Sequence, residues 1–158
     1  MKTKKLVLSL MTLFIFFIPL HAEDMADETV KIVYQCDFQE PKRVNLMLST
    51  INNLVSEYQQ NLIDYEIDVV ALGPCLQYMM KDFKSTDFKK LPNLEKTQVR
   101  FRSLVSGRDN IRLYACENTM KMKKVKPEQI LDIAHVTSSG VGKIVHDQLN
   151  GYAYIKIY

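Results

Sequence analysis

The amino-acid sequence predicts an α/β fold, in which a parallel sheet carries helices on both of its faces. Segments typical of strands alternate along the chain with segments typical of helices, so that five strands are separated by four helical stretches. The second strand, 65–72, ends in a nearly continuous apolar run, which is typical of a strand buried on both faces. A chain of 158 residues is also long enough to build one domain with a substantial core.

The first strand and the first helix have the clearest patterns. Apolar and polar residues alternate over 29–36, as they do in a strand. Pro41 suits the first turn of a helix, and the apolar residues after it recur at steps of three and four, which predicts a long amphipathic helix. These residues are Val44, Met47, Leu48, Ile51, Leu54, Val55 and Tyr58.

The remaining elements follow the same alternation, with turn residues between them. The middle of the chain predicts a strand over 65–72 ended by Gly73-Pro74, a short helix over 76–83, a polar loop over 84–94, a helix over 99–105 and a strand over 111–116. The last part predicts a short helix capped by Asn118 or Thr119, a helical turn over 127–131, a strand over 134–137, a turn with capping hydroxyls at 138–140, a helix over 141–149 and a strand over 152–157.

The N-terminus has the layout of a secretory signal peptide. Three lysines, Lys2, Lys4 and Lys5, precede an apolar stretch over 6–20, and Ala22 offers a small residue for cleavage. The stretch is short for a membrane-spanning helix, although an uncleaved anchor remains the alternative. The sequence therefore predicts a signal peptide over 1–22, a single domain over 23–158, a periplasmic or secreted protein, and no stable membrane insertion after cleavage.

The net charge of the predicted mature chain argues against binding to nucleic acid. Three of the 21 basic residues and none of the 18 acidic residues lie within 1–22, which leaves 18 of each in the mature chain. The formal charge of +3 thus belongs to the export signal, and the folded domain has no excess of basic residues. We expect no nucleic-acid partner.

Each of the three cysteines lies at or just past the end of a predicted strand. Cys36 ends the first strand, Cys75 follows the second, and Cys116 ends the third. Ligands and chemistry collect at this edge of a parallel sheet. If the three strands are neighbours, Cys36 and Cys75 approach within disulfide range, or either one resolves an intermediate on Cys116. The alternative is that they are unrelated buried thiols, which are common in proteins.

Cys116 has the local surroundings of a reactive thiol. It precedes a predicted helix N-terminus, where backbone N–H groups and the helix dipole favour a thiolate, and Lys121, Lys123 and Lys124 add positive charge nearby. The competing interpretation is a small buried apolar side chain. An export signal places the protein where thiols form disulfides, and an odd number of cysteines leaves at least one without a partner in the monomer.

Motifs for other chemistries are missing from the sequence. It contains no phosphate-binding glycine loop, no dinucleotide fingerprint and no His-Glu-x-x-His zinc motif. His135 and His146 are too few and too scattered to indicate a metal site. The sequence therefore predicts no metal and no cofactor.

Residues 116–119, Cys-Glu-Asn-Thr, resemble the Cys-x-Asn-Thr motif of the DsrE/DsrF-like family, which includes YchN-like and TusD-like sulfur-handling proteins. Four other segments resemble the family in the same order, and together they cover roughly residues 29–158. These segments are the first strand at 30–34, the second strand with its Gly-Pro turn at 69–74, the Ser-Gly-Val turn at 138–141 and the Gln-x-x-Gly-Tyr-Ala-Tyr-Ile-Lys ending at 148–156.

The resemblance implies a three-layer α/β/α domain on a five-stranded, mainly parallel sheet, assembled as a trimer or hexamer. It also implies that Cys116 carries sulfur as a persulfide and passes it to a partner protein. Two features depart from the family pattern: the export signal, and the additional cysteines Cys36 and Cys75. The binding residues predicted around Cys116 are Asn118, Thr119, Gly73 and Cys36.

The leading hypothesis is an exported protein that binds or transfers sulfane sulfur through Cys116, with Cys75 or Cys36 accepting the sulfur or closing a disulfide. Its partners would be a sulfur donor or acceptor protein and further copies of the chain. Two alternatives remain open. One is a non-enzymatic oligomeric binding or assembly module of the same fold, and the other is a dithiol redox protein that uses Cys116 with Cys75.

Overall fold

The computed structural model describes residues 29–158, which form one five-stranded sheet with helices on both faces. Every strand pairing is parallel, and the strand order is β4-β3-β2-β1-β5. The predicted fold class is therefore confirmed, whereas the predicted signal peptide over 1–22 lies outside the described residues. The strands are Val30–Cys36 (β1), Tyr65–Ala71 (β2), Ile111–Cys116 (β3), Ala134–Thr137 (β4) and Ala153–Lys156 (β5).

Four α-helices and two short 3₁₀ helices connect these strands. The α-helices are Pro41–Gln60 (α1), Leu94–Val105 (α2), Glu117–Met122 (α3) and Gly140–Leu149 (α4), and the 3₁₀ helices are Gly73–Met79 and Pro127–Gln129. None of the helices within 29–158 combines the length and the apolar character needed to cross a membrane.

The two faces of the sheet are covered by different helices. Successive residues of a strand point to opposite faces, so Ile32, Tyr34 and Cys36 join a large apolar core under α1 and α2. Val33, between them, joins a small cluster with Val70 and Ile144 under α4. The sheet is therefore the middle of three layers, with a thick apolar layer on one side and the single helix α4 on the other.

Two helical elements differ from their predicted positions. The helix predicted over 99–105 begins at Leu94, because its buried stripe runs through Leu94, Thr97, Phe101 and Leu104 at steps of three and four. Because Thr97 is polar, the apolar pattern in the sequence did not include the first turn of this helix. The short helix predicted over 76–83 is the 3₁₀ helix Gly73–Met79, which follows β2 after a single residue.

Candidate functional site

Cys116 lies at the carboxyl edge of the sheet, where β3 passes directly into α3. It is the last residue of β3 and the N-cap residue of α3, so no loop separates the two elements. The capping residue is thus Cys116 itself, and the prediction of Asn118 or Thr119 for that position is wrong. Ala115 belongs to the large core under α1 and α2, and strand alternation therefore turns Cys116 toward α4.

The Cys116 side chain is free and only 4% exposed. The backbone N–H of Gly140, the first residue of α4, donates a hydrogen bond to its Sγ atom over 3.1 Å. Ser139 caps α4 by accepting a hydrogen bond from the Gly142 N–H over 3.1 Å, which confirms the predicted capping hydroxyl. The start of α4 is thus held with an N–H donor on the sulfur.

This approach of α4 to Cys116 requires glycine at position 140. A Cβ atom on Gly140 would lie 3.1 Å from the Cys116 Cβ, 3.3 Å from its Sγ and 3.2 Å from the Leu72 Cβ. To accommodate contacts this short, Cys116, Leu72 or the start of α4 would have to move by a few tenths of an ångström. Gly140 was not among the predicted site residues, although the Ser-Gly-Val turn that contains it was noticed.

Thr119 connects Cys116 to the turn that follows β2. The Thr119 hydroxyl accepts a hydrogen bond from the Gly73 N–H over 2.9 Å, and it is one of the groups that lower the pKa of the Cys116 thiol. Gly73 has a φ of +53°, a left-handed conformation that suits glycine. The structure therefore brings together three of the predicted site residues, Cys116, Thr119 and Gly73.

The surroundings of Cys116 lower the pKa of its thiol. Burial is the largest single influence and by itself raises the pKa, but hydrogen bonds outweigh it. The Gly140 N–H bonds the sulfur directly, and the polar groups at the start of α3, namely the N–H groups of Asn118 and Thr119 and the Thr119 hydroxyl, act in the same direction. Because donors aimed at one sulfur favour the thiolate, the pKa of Cys116 lies below its ordinary value.

Asn118 and the nearby lysines contribute less than the sequence suggested. The Asn118 side chain is exposed and makes no hydrogen bond within the described residues, so only its backbone serves the sulfur. Lys121 pairs with Glu117 over 3.1 Å, and Lys124 pairs with Asp87 over 3.1 Å. The lowered pKa of Cys116 is therefore explained by hydrogen bonds from uncharged groups and not by the charges of these lysines.

Cys36 and Cys75 form a disulfide on the opposite face of the sheet from the Cys116 side chain. Their Cα atoms are 5.6 Å apart, and both residues are fully buried in the large core. The prediction that they approach within disulfide range is confirmed, because β1, β2 and β3 are neighbours in the sheet. The structure joins the Cys75 sulfur to Cys36 and not to Cys116, so a resolving role for Cys75 stays a prediction.

A network of charged side chains lies under α4, and the sequence analysis did not identify it. The fully buried carboxylate of Asp68 accepts a hydrogen bond from Arg112 Nε over 2.7 Å and another from Lys143 Nζ over 2.5 Å. Lys143 also bonds the buried Asp147, one turn further along α4. The network ties α4 to β2 and β3, and Asp68 within the apolar run of the second strand was the available signal.

The same network reaches the last strand through Tyr152. Its hydroxyl donates a hydrogen bond to Glu66 and accepts one from Arg112 over 2.7 Å. Within residues 29–158, no group of three or more His, Cys, Asp or Glu side chains is arranged to hold a metal ion. His135 and His146 are both exposed, and they lie on different elements.

The sequence and the fold match known proteins over most of the chain. A family model described as the DsrE/DsrF-like family matches residues 14–157. This range begins inside the predicted signal peptide, so the boundary at residue 22 stays a prediction. No curated protein matches the chain.

The solved structures that are similar to this chain include the following two. The first is MTH1491 from Methanobacterium thermoautotrophicum, a protein of unknown function, with 27% sequence identity and a TM-score of 0.65 over 80% of this chain and 98% of that one. The second is the ychN protein from E. coli, with 9% identity and a TM-score of 0.53 over 82% of this chain and 100% of that one. At 9% identity, the second similarity concerns the fold alone.

Proposed function

The chain belongs to the DsrE/DsrF-like family, which is generally associated with sulfur relay, and on that premise we propose that it binds or transfers sulfane sulfur as a persulfide on Cys116. The observation that supports this proposal is the free thiol at the end of β3, with its pKa lowered by converging hydrogen-bond donors. A thiolate is the nucleophilic form of cysteine, and these donors favour it over the neutral thiol.

The reaction is an exchange between two sulfur atoms. The Cys116 thiolate attacks the outer sulfur of an organic persulfide, and a new bond forms between Sγ and that sulfur. The bond between the outer and inner sulfur atoms of the donor breaks, and its electron pair leaves with the inner sulfur as a thiolate. The step therefore needs no oxidant and no reductant, and the same exchange in reverse delivers the sulfur to an acceptor thiol.

The site suits a small donor and an attacking thiolate. The Gly140 N–H stabilises negative charge on the Cys116 sulfur, and the polar groups at the start of α3 act in the same direction. An exposure of only 4% keeps bulky reagents away from the thiol, which limits its oxidation. A bulky donor protein would have to present its sulfur on a narrow, extended segment.

Mass spectrometry of the intact protein tests this proposal. We expect wild-type protein incubated with polysulfide to gain the mass of one or more sulfur atoms, and we expect Cys116→Ser to gain none. The Cys36–Cys75 disulfide serves as an internal control, because it offers no free thiol in either protein. The absence of added sulfur on the wild type, or equal addition to Cys116→Ser, would contradict the proposal.

A second candidate function, an oligomeric binding module, is favoured by the outer surface of α4. Three apolar side chains four residues apart face solvent there: Val141 is 61% exposed, Val145 49% and Leu149 82%. Residues at this spacing lie along one side of a helix. We therefore propose that α4 packs against a second copy of the chain, in a trimer or hexamer.

Analytical ultracentrifugation distinguishes assembly from sulfur transfer. We expect Val145→Asp to dissociate the oligomer, whereas the matched control Asn53→Asp, on an exposed position of α1, leaves it intact. A wild-type protein that sediments as a monomer would contradict the assembly. If Cys116→Ser keeps both the oligomer and the cellular function, the binding module is the better description.

We also propose that the protein is exported to the periplasm or secreted. The buried Cys36–Cys75 disulfide supports this location, because disulfides form and persist in oxidising compartments. N-terminal sequencing of the mature protein would test it. A chain that still begins at Met1 would favour the uncleaved anchor, and a chain that begins near residue 23 would favour the cleaved signal.

A further inference from the structure

We infer that the Cys36–Cys75 disulfide controls the reactivity of Cys116 across the sheet, by holding the segment whose Gly73 N–H binds the Thr119 hydroxyl and whose Leu72 packs against Gly140. The four residues that connect the two sulfur sites, Leu72-Gly73-Pro74-Cys75, are called the 72–75 segment below. The inference deepens the proposed function, on which its biological use rests. The coupling itself is a property of the thiol and can be measured without any sulfur donor.

The 72–75 segment is fixed to β1 at both of its ends. At its start, the Leu72 N–H donates a hydrogen bond to the Cys36 carbonyl over 2.9 Å. At its end, Cys75 is bonded covalently to the Cys36 side chain. The Cys75 N–H also donates to the Leu72 carbonyl over 3.3 Å, which closes the turn. Both ends of the segment therefore depend on the same residue of β1.

The middle of the segment makes the contact with the thiol site. The Gly73 N–H donates to Thr119 Oγ1 over 2.9 Å, and Gly73 adopts a left-handed φ of +53° in this turn. A threonine hydroxyl has a single hydrogen to donate. When the oxygen accepts from Gly73, its own hydrogen is free to turn toward Cys116, whose pKa the hydroxyl helps to lower.

Leu72 gives the segment a second contact with the site. Its Cβ lies 3.2 Å from the position that a Cβ on Gly140 would occupy, so Leu72 packs against the start of α4. Gly140 is the residue whose N–H donates to Cys116 Sγ. The 72–75 segment therefore contacts both Gly140, which donates to the Cys116 sulfur, and Thr119, which helps to lower the pKa of the thiol.

Charged groups near Cys116 do not offer a competing explanation for its reactivity. The contacts to the sulfur from α3 and α4, and the packing from the end of β2, all come from uncharged groups. The titratable residues on the surrounding elements make contacts of their own. These are Glu117 on α3, paired with Lys121, Lys143 on α4, paired with Asp68 and Asp147, and His135 on β4, whose ring lies against Tyr114.

Reduction of the disulfide would weaken this arrangement. A dithiol reductant supplies two electrons and two protons, the bond between the two Sγ atoms breaks, and the reductant becomes a disulfide. Cys75 then loses its covalent link to β1, and Gly73 loses the constraint that keeps its N–H on Thr119. The Cys116 thiolate loses part of its stabilisation, and the thiol becomes less reactive.

The rate at which iodoacetamide alkylates Cys116, measured against pH, tests the inference. Wild type and the double variant Cys36→Ala/Cys75→Ala are compared, because Cys116 is the free thiol in both. Losing one hydrogen bond to a charged group reduces the thiolate population about tenfold. Because a more basic thiolate is also a better nucleophile, we expect alkylation at pH 7 to be about threefold slower in the double variant.

A double-mutant cycle shows whether the effect passes through Thr119. In the disulfide-bonded chain, we expect Thr119→Val to slow alkylation by a similar factor and Thr119→Ser, which keeps a hydroxyl, to restore the rate. When Thr119→Val is already present, removing the disulfide should slow alkylation no further. The inference would be overturned if the folded double-cysteine variant is alkylated at the wild-type rate. It would also be overturned if Thr119→Val and removal of the disulfide slow alkylation independently, so that the two factors multiply in the combined variant.

Two further observations keep the test decisive. If the double-cysteine variant does not fold, wild-type protein is reduced with a dithiol and the peptide that carries Cys116 is quantified by mass spectrometry. The expected slowing, or its absence, then decides in the same way. If the protein accepts no sulfur but shows the coupling, only the proposed function is contradicted. If it accepts sulfur equally with and without the disulfide and the alkylation rates are unchanged, only the coupling is contradicted.

Discussion

The two faces of the sheet differ in how they are held together and in the chemistry they carry. Under α1 and α2 lies the large apolar core, which contains the Cys36–Cys75 disulfide. Under α4, the buried apolar cluster consists of Val33, Val70 and Ile144, and charged side chains fill much of the remaining contact. The first face stabilises the fold, and the second positions the free thiol.

This difference arises from single-residue alternation along the strands. Asp68 lies between Ile67 and Val69 in β2, and it is paired in register with Arg112 of β3. In β3, Ala115 faces the large core, while Cys116 faces α4. A shift of one residue in either strand would exchange the two chemistries, so the register of the sheet determines which cysteines meet.

The largest expected effect follows from removing the disulfide. It closes a loop with a sequence separation of 39 residues. A loop of that length predicts that Cys36→Ala/Cys75→Ala lowers the free energy of unfolding by about 4 kcal/mol, measured by urea denaturation without reductant. Cys116→Ala is the matched control on the other face and should cost about 1 kcal/mol, the value of one hydrogen bond. Equal losses of unfolding free energy in the two variants would contradict the view that the face under α1 and α2 contributes more to stability.

The next effect concerns the charged network under α4. Asp68→Asn removes the carboxylate that Arg112 and Lys143 share, and leaves two cations close together. Breaking a fully buried pair costs about 3–5 kcal/mol, and since Arg112 is partly exposed we expect about 2–3 kcal/mol here, measured by thermal and urea unfolding. Glu66→Gln, at the partly exposed rim of the same network, should change the free energy of unfolding by about 0–1 kcal/mol.

If Asp68→Asn proves as harmless as Glu66→Gln, the network does not hold α4 in place. A second measurement links the network to the thiol. When α4 loosens, Gly140 moves away from Cys116, and alkylation of Cys116 by iodoacetamide should slow in Asp68→Asn but not in Glu66→Gln. This result would show that the charged face positions the thiol as well as holding the helix.

Much of the fold could be predicted from the sequence, because each element has a strong local pattern. The stripe from Val44 to Val55 predicted the burial of α1, and the apolar end of the second strand predicted a strand covered on both faces. Helix α2 was predicted five residues too short, because Thr97 occupies a buried position in its stripe. A local hydrophobic pattern misplaces the end of a helix where a polar side chain occupies a buried position.

The site was harder to predict than the fold, because its contacts join residues that are distant in sequence. The position of Cys116 at a strand end could be predicted, and so could its proximity to a helix N-terminus. The contact between Gly73 and Thr119 depends on β2 and β3 being neighbours, and the contact of Gly140 depends on where α4 crosses the sheet. Neither fact follows from a periodic pattern.

Gly140→Ala tests the close approach of α4 to β3. The added Cβ would meet Cys116 and Leu72 at 3.1–3.2 Å, and overpacking of this kind costs about 1–3 kcal/mol. Alanine regains part of this through its helix propensity, so we expect a net loss of about 1–2 kcal/mol, together with slower alkylation of Cys116. Asn53→Ala, at an exposed position of α1 on the other face of the sheet, is the control and should neither lower stability nor slow the alkylation.

The smallest expected effect is a dependence of stability on pH that comes from Cys116. Hydrogen bonds lower the pKa of this thiol in the folded protein, while the unfolded chain titrates near the ordinary value of about 8.5. The folded state therefore binds fewer protons between the two pKa values, and the unfolding free energy rises with pH across that window. This stabilisation is complete above the unfolded pKa and is lost as pH falls through the folded one. Urea unfolding of wild type against Cys116→Ser should show the difference growing as pH is raised toward 8.5, whereas a constant difference would mean that the folded thiol titrates like an unfolded one.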